Sequence, residues 1–274
     1  MPLPNPHRSA GILDVVELLV SIHEAAAREI RKMNANTGLG IVVNLGQNLI
    51  MISVMYCAAW VMGFGASLIR GDYLIYVITG IFLYMVHVKT MAAVSSAEGP
   101  LSPGMRNIPI NQTVSSLGAA IASLWMQAIS VAIIMFLYDA LWEPLVFQDL
   151  AGMSVMIVLA WISGIGLGML LTAIRPWSSD VSSLISQLYM RVSMILSGSM
   201  FVANALPEMF LPWFMWNPLF HMVDQARGAA FINYNPWFTS AAYAAAMAFA
   251  ILIVGALAQY NTRVKASASW FSKG

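Results

Sequence analysis

Charge is what this chain lacks most: of its 274 residues only 9% are charged, and none of its long apolar runs contains an aspartate or a glutamate. Proton relays and group-transfer chemistry inside a bilayer need carboxylates or histidines close to the substrate. The absence of carboxylates argues against a proton-coupled carrier and against an enzyme. The four histidines, His7, His23, His87 and His221, have no ligand spacing among them, so no metal site is expected. A single cysteine, Cys57, lies inside an apolar run and excludes a disulfide or zinc framework. Alternating ten-residue strands are missing as well, which excludes a barrel. Residues 99–106 have the glycine spacing of a phosphate loop, but Met105 and Arg106 stand where Lys and Ser or Thr are required, so no nucleotide site is expected there. Nucleic acid is not an expected partner, although the net charge of +1 says nothing on this point, because residues of both signs are few.

What is present is apolar length. At 59% hydrophobic the sequence is that of an integral membrane protein, with runs of roughly 20 residues that cross a hydrocarbon core as helices. The predicted fold is an all-α membrane protein of six transmembrane helices, at about 38–62, 73–91, 114–138, 151–174, 181–202 and 237–258. A cytoplasmic N-terminal part, 1–37, precedes the membrane domain of 38–259, and a cytoplasmic tail, 260–274, follows it. No apolar signal region opens the chain, which predicts a cytoplasmic N-terminus. Between residues 12 and 32 the polar residues Asp14, Glu17, Ser21, Glu24, Arg28 and Arg31 recur three or four apart, opposite Ile12, Val15, Val16, Leu19, Ile22, Ala26 and Ile30. That pattern predicts an amphipathic helix lying in the membrane interface, with Glu24 and Arg28 placed to pair.

Three features interrupt the runs. Residues 92–112 contain Glu98, Leu101, Arg106 and three prolines and form a compact connector. Residues 205–236 carry prolines, many aromatics and the charged pair Asp224 and Arg227; they predict a re-entrant or interfacial hairpin of two short helices, broken at Asn217-Pro218, between the fifth and sixth spans. Asp224 and Arg227, three residues apart, are placed to pair on its wet side. The fourth span carries Gly164, Gly166 and Gly168, a surface suited to close helix contact. With both ends inside, Arg8, Arg28, Arg31, Lys32, Lys89, Arg106, Arg175, Arg263, Lys265 and Lys273 face the cytoplasm, and only Arg70 and Arg227 face out. The hairpin then lies on the outer side.

Polar residues inside the spans are the candidate functional groups. Asn44, Gln47 and Asn48 share a face of the first span, either as interhelical hydrogen-bond partners or as the lining of a polar path. In the fifth span Ser183, Gln187 and Arg191 fall at successive i+4 positions, with Ser197 on an adjoining stripe. Arg191 sits about midway, where a cation costs at least a few kcal/mol unless it meets water, a counter-charge or carbonyls. One reading holds it structurally on hydroxyls and carbonyls; the other has the first and fifth spans lining a wet passage for an anionic substrate. Trp213 and Trp216, with Phe210, Phe214 and Phe220, form either an interfacial aromatic belt or a sugar-stacking gate.

The run Arg28-Glu-Ile-Arg31 ahead of the first span, with Leu206-Pro207 leading into Trp216-Asn-Pro-Leu-Phe-His-Met-Val-Asp224-Gln-Ala-Arg227, resembles the ABC-2 type permeases. Within these it is most similar to the membrane subunits of capsular polysaccharide and O-antigen exporters. The resemblance implies a homodimer joined to two copies of a separate ATPase subunit, which binds ATP and Mg; this chain carries no cofactor. It implies a place in a bacterial inner membrane and export of a lipid-linked polysaccharide towards periplasmic and outer-membrane components. It further implies that Glu98, Leu101 and Arg106 couple to the ATPase and that Arg28 and Arg31 flank the entrance for an anionic lipid head; the hairpin itself, placed outside by the count of bases, is read as an outer gate of Trp213, Trp216, Asn217, Pro218, His221, Asp224 and Arg227. The competing readings are an ABC-2 permease for a drug or a simple lipid and, from another class, a membrane-bound transferase, which lacks the acid–base or metal cluster it would need.

Overall fold

The computed structural model describes residues 12–33, 37–61, 73–97, 112–199 and 203–271, and the elements among them are helices. In chain order they are α1 (Ile12–Met33), α2 (Thr37–Val61), α3 (Tyr73–Ser96), α4 (Gln112–Leu141), α5 (Leu150–Ile174), α6 (Ser179–Leu196), α7 (Leu211–Met215), α8 (Pro218–Ala230) and α9 (Ala241–Phe271), with a short 3-10 turn at Ala203–Ala205 before α7. Glu98, Leu101, Arg106 and Arg70 lie outside the described residues.

Five stretches, Leu39–Val61, Tyr73–Ser96, Gln112–Leu141, Leu150–Ile174 and Ala241–Thr262, are long and apolar enough to cross a membrane. The chain is therefore an all-helical, multi-pass membrane-embedded protein. The expected fifth span is not among the five. α6 is 18 residues long, carries Asp180, Arg191 and a series of serines, and stops at Leu196 rather than continuing to residue 202. Its stop is set by Gly198, whose φ of 66° is left-handed and whose missing side chain leaves room for the ring of Phe220; a Cβ there would come within 2.6 Å of it. The last helix starts at Ala241 rather than at Trp237, because Ser240 caps it: its Oγ accepts from the Tyr243 N–H at 3.4 Å.

α3 is the axis of the bundle. Of its most apolar window 83% is buried, against 22% for α2 and 17% for α9, which puts those two at the periphery. α5 lies between α3 and α9, and its glycines work in two directions. Gly164 and Gly168 face α3, where an added Cβ would meet the His87 carbonyl at 2.6 Å and the Val94 side chain at 2.5 Å; Gly166 faces α9 and the backbone of Ile251 and Gly255. Without water to drive apolar association, such backbone proximity is what lets membrane helices attract each other. Phe82, Leu83, Val86 and Val88 of α3 pack with Met156, Leu159 and Ala160 of α5 and Leu219, Met222 and Val223 of α8, so α8 closes one end of this core.

α1 rests on α4 through its small residues, with Ala25 and Ala26 buried against Gly118. Val15, Val16, Leu18, Leu19 and Val20 stay exposed, an apolar surface suited to the membrane interface. Among the described residues the ion pair on this helix is Lys32 with Glu29 at 3.1 Å, not the expected Glu24 with Arg28. Gly168→Leu is expected to destabilise the protein by about 1–3 kcal/mol through overpacking against Val94 and Met91; thermal unfolding in detergent checks this, and an unchanged midpoint would contradict the packing described.

Candidate functional site

The amides of α2 turn inward. Asn44 donates from Nδ2 to Ser130 Oγ at 2.6 Å and to the Met126 carbonyl at 3.2 Å, both on α4. Its Oδ1 accepts from Lys89 of α3, which also donates to Gln47 Oε1 at 2.9 Å. One turn on, Asn48 Nδ2 donates to Gln127 Oε1 of α4 at 2.9 Å. Asn48 Oδ1 and Gln127 Nε2 are buried and carry no hydrogen bond, beside a small cavity lined by Asn48, Ile52, Ile78, Phe82, Met85 and Val131. The three α2 amides are thus interhelical partners, the first of the two sequence readings. Lys89 and Gln127 were missing from it, although Ser116, Ser123, Gln127 and Ser130 recur at helical spacing along α4 and mark its inward face.

The α6 residues sit elsewhere. Ser183, Gln187 and Arg191 are exposed, with Gln187 donating to Ser183 at 3.3 Å. α6 leans on α5 and α3, so within one chain the α2 amides and the α6 stripe do not line a common passage. Two phenols tie α6 to α3: Tyr84 donates to the Met190 carbonyl at 2.8 Å, and Tyr189 meets His87 Nε2 at 2.8 Å. Ser197 is buried and bonds within its own turn to Met194.

The deeply buried cation is Arg227, expected on the wet side of the hairpin but only 1% exposed. Its guanidinium stacks 3.6 Å from the centre of the Tyr76 ring and donates to the Tyr76 hydroxyl at 2.9 Å, to the Gly198 carbonyl at 2.8 Å and to the Ser199 carbonyl at 2.7 Å. A desolvated cation–π contact alone contributes about 2 kcal/mol. One side chain of α8 thereby fixes α3 and the turn after α6.

Asp224 does not pair directly with Arg227 as expected. Its carboxylate, 1% exposed, accepts from the Tyr234 hydroxyl and from Thr239 Oγ1 at 2.8 Å, and Tyr234 packs edge-on to Tyr76. Two tyrosines stand between the charges because α8 turns Arg227 towards α3 and Asp224 towards the segment leading into α9. Burial pushes the Asp224 pKa up, against the bonds from Tyr234 and Thr239 and the charge of Arg227.

The break in the hairpin falls where expected. Asn217 caps α8, its Oδ1 accepting from Leu219 N–H at 3.1 Å, and Pro218 takes the first helical position. His221 Nε2 donates to the Met215 carbonyl at 2.9 Å while Nδ1 accepts from the Ser240 N–H at 3.0 Å, a set that needs the neutral ring. Trp213 and Trp216, on and just after α7, are 73% and 83% exposed. The expected gate residues therefore divide into a fixed set, His221, Asp224 and Arg227, and an exposed aromatic set. The loop before α5 joins this end, Asp149 N donating to the Ala229 carbonyl at 2.9 Å. On α1, Arg28 is half-buried and Arg31 exposed. Among the described residues no three His, Cys, Asp or Glu side chains gather as metal ligands would.

Arg227→Gln leaves the Tyr76 face and two carbonyls unmatched and is expected to cost about 2–4 kcal/mol of stability, read from thermal unfolding. A loss no larger than that of an exposed substitution would contradict the burial. Burial also pushes the His221 pKa down, against the Met215 carbonyl and Asp224. A depressed histidine pKa gives stability that is full above the unfolded value, near pH 6.5, and is lost as pH falls through the folded value. His221→Gln is expected to flatten that decline as pH falls below about 6.5, and an unaltered slope would sink this assignment. No protein-family model matches the chain, and no curated protein matches it.

Proposed function

We propose that this chain is the membrane subunit of an ABC-2 type exporter, moving a lipid-linked polysaccharide of the capsule or O-antigen kind across a bacterial inner membrane. ATP hydrolysis takes place in two copies of a partner ATPase. The observation that supports this most is the pair α7–α8 immediately before the last apolar helix: a short helix with outward tryptophans, a capped break at Asn217-Pro218, and a second helix seated in the bundle. With the amphipathic α1 at the other end of the chain, that order matches what the resemblance implies.

In this reading α6 is the fifth of six spans, about 27 Å long at 1.5 Å per residue, and α7–α8 is an outer re-entrant hairpin; both termini are cytoplasmic. The exposed Ser183, Gln187 and Arg191 face a second copy of the chain, and the passage for an anionic substrate runs between the copies rather than inside one. A cation there needs no carboxylate of its own when the substrate supplies the negative charge. Arg28 and Arg31 receive the lipid head, and Trp213 and Trp216 stack on sugar rings at the exit.

Deleting the gene in its host tests the function: polysaccharide is expected to accumulate inside the cell, and normal surface polysaccharide overturns the reading. In a complemented deletion strain, Arg191→Glu is expected to lower export about tenfold or more while Arg191→Lys retains it. Equal export by both would remove Arg191 from the substrate path.

A further inference from the structure

Lys89 is a cation in an apolar helix, and among the described residues no anion meets it. Its ammonium donates to two amide oxygens, Asn44 Oδ1 and Gln47 Oε1, and no carboxylate lies within ion-pair distance among the described residues, where the ion pair is Lys32 with Glu29. α2 and α3 contain no acid, and the one acid of α4, Asp139, stands nine residues beyond Ser130, about 13 Å along the helix. Amide dipoles orient an ammonium but leave its net charge uncompensated, and in a low-dielectric setting that charge attracts an oxyanion strongly.

Of the two amides that hold Lys89, Asn44 is itself fixed. Asn44 is 9% exposed and anchored to Ser130 and the Met126 carbonyl, so the ammonium is placed by a rigid network rather than by a mobile side chain. Its open side is Gln47, which is exposed. On α2, Gln47 shares a face with Val43, Ile50 and Val54, exposed by 51%, 66% and 53%. An exposed stripe of that composition on a membrane helix is a surface for acyl chains. Asn44 lies five residues, about 8 Å, from Leu39, the first residue of the apolar stretch, and a lysine stem reaches towards the headgroups from such a depth.

We propose that Lys89, oriented by Asn44 and Gln47, is a binding site for the phosphate of an anionic lipid headgroup, with the lipid's tails lying along the Val43–Val54 stripe of α2. The shared chemistry is a phosphate oxyanion, and the apolar approach selects a lipid over a free ion. The site rests on this network and not on export, so it is tested on the purified chain without an ATPase and without polysaccharide; failure of the export reading leaves its result standing.

Native mass spectrometry of the full-length chain in neutral detergent, titrated with phosphatidylglycerol or phosphatidylcholine, reads the binding. Wild type is expected to hold phosphatidylglycerol about tenfold more tightly than phosphatidylcholine, and Lys89→Arg to retain that preference. Lys89→Met is expected to abolish it. Gln47→Glu provides a second route that does not depend on the folding of Lys89→Met: it is close to isosteric, keeps the bond from Lys89 and supplies the missing counter-charge, so it too is expected to bring phosphatidylglycerol down to the phosphatidylcholine level. Wild type without a preference, or Gln47→Glu binding phosphatidylglycerol like wild type, overturns the site. Displacement of the lipid by millimolar inorganic phosphate overturns the lipid assignment in favour of a free oxyanion.

Discussion

The structure depends on a constraint of charge: its five apolar stretches hold one basic residue, Lys89, and one acid, Asp139 at the end of α4, and among the described residues the aspartates of α6 and α8, Asp180 and Asp224, form no ion pair with the arginines of those helices. A cation taken out of water must then be met by something other than a carboxylate. Arg227 is met by the ring of Tyr76 and the carbonyls of Gly198 and Ser199. Lys89 is met by two amide oxygens. Arg191 stays on the exposed face of α6. Each solution has a structural consequence: Arg227 binds α8 to α3 and to the turn after α6, Lys89 binds α3 to α2, and α6 is left lightly held.

That division separates a rigid part from a part free to serve as a surface. α3, α5, α8 and α9 form the body, drawn close by Gly164, Gly166, Gly168 and Gly255. α8 belongs to this body, since Phe220, Met222, Val223 and Asp224 are all almost fully buried. The two short helices before α9 therefore differ in how they are held: α7 carries the exposed Trp213 and Trp216, while His221, Asp224, Gln225 and Arg227 of α8 are hydrogen-bonded to the rest of the chain.

Much of the helical plan was legible in the sequence because apolar length and proline position are local properties. The break at Asn217-Pro218 could be read directly, since Asn at a cap and Pro at the first helical position act within three residues. The glycines of α5 announced close contact but not their two directions, which depend on where α3 and α9 stand. Arg191 and Arg227 could not be sorted by sequence alone. A basic residue beside an aspartate in a proline-rich segment reads as exposed, and the structure buries Arg227, because burial is decided by which helix packs on which. Asn44, Gln47 and Asn48 were visible as a polar face, whereas their partners Lys89 and Gln127 sit on other helices and became partners only through packing.

Arg227 makes α8 part of the rigid body while α7 stays outside it, a difference that hydrogen exchange of the chain in bilayer nanodiscs measures. The amides of 219–230 are expected to exchange as slowly as those of α3 and far more slowly than those of 211–216, and Arg227→Gln is expected to speed exchange in α8 and in the 197–199 turn together. Exchange in wild-type α8 as fast as in α7 would contradict it.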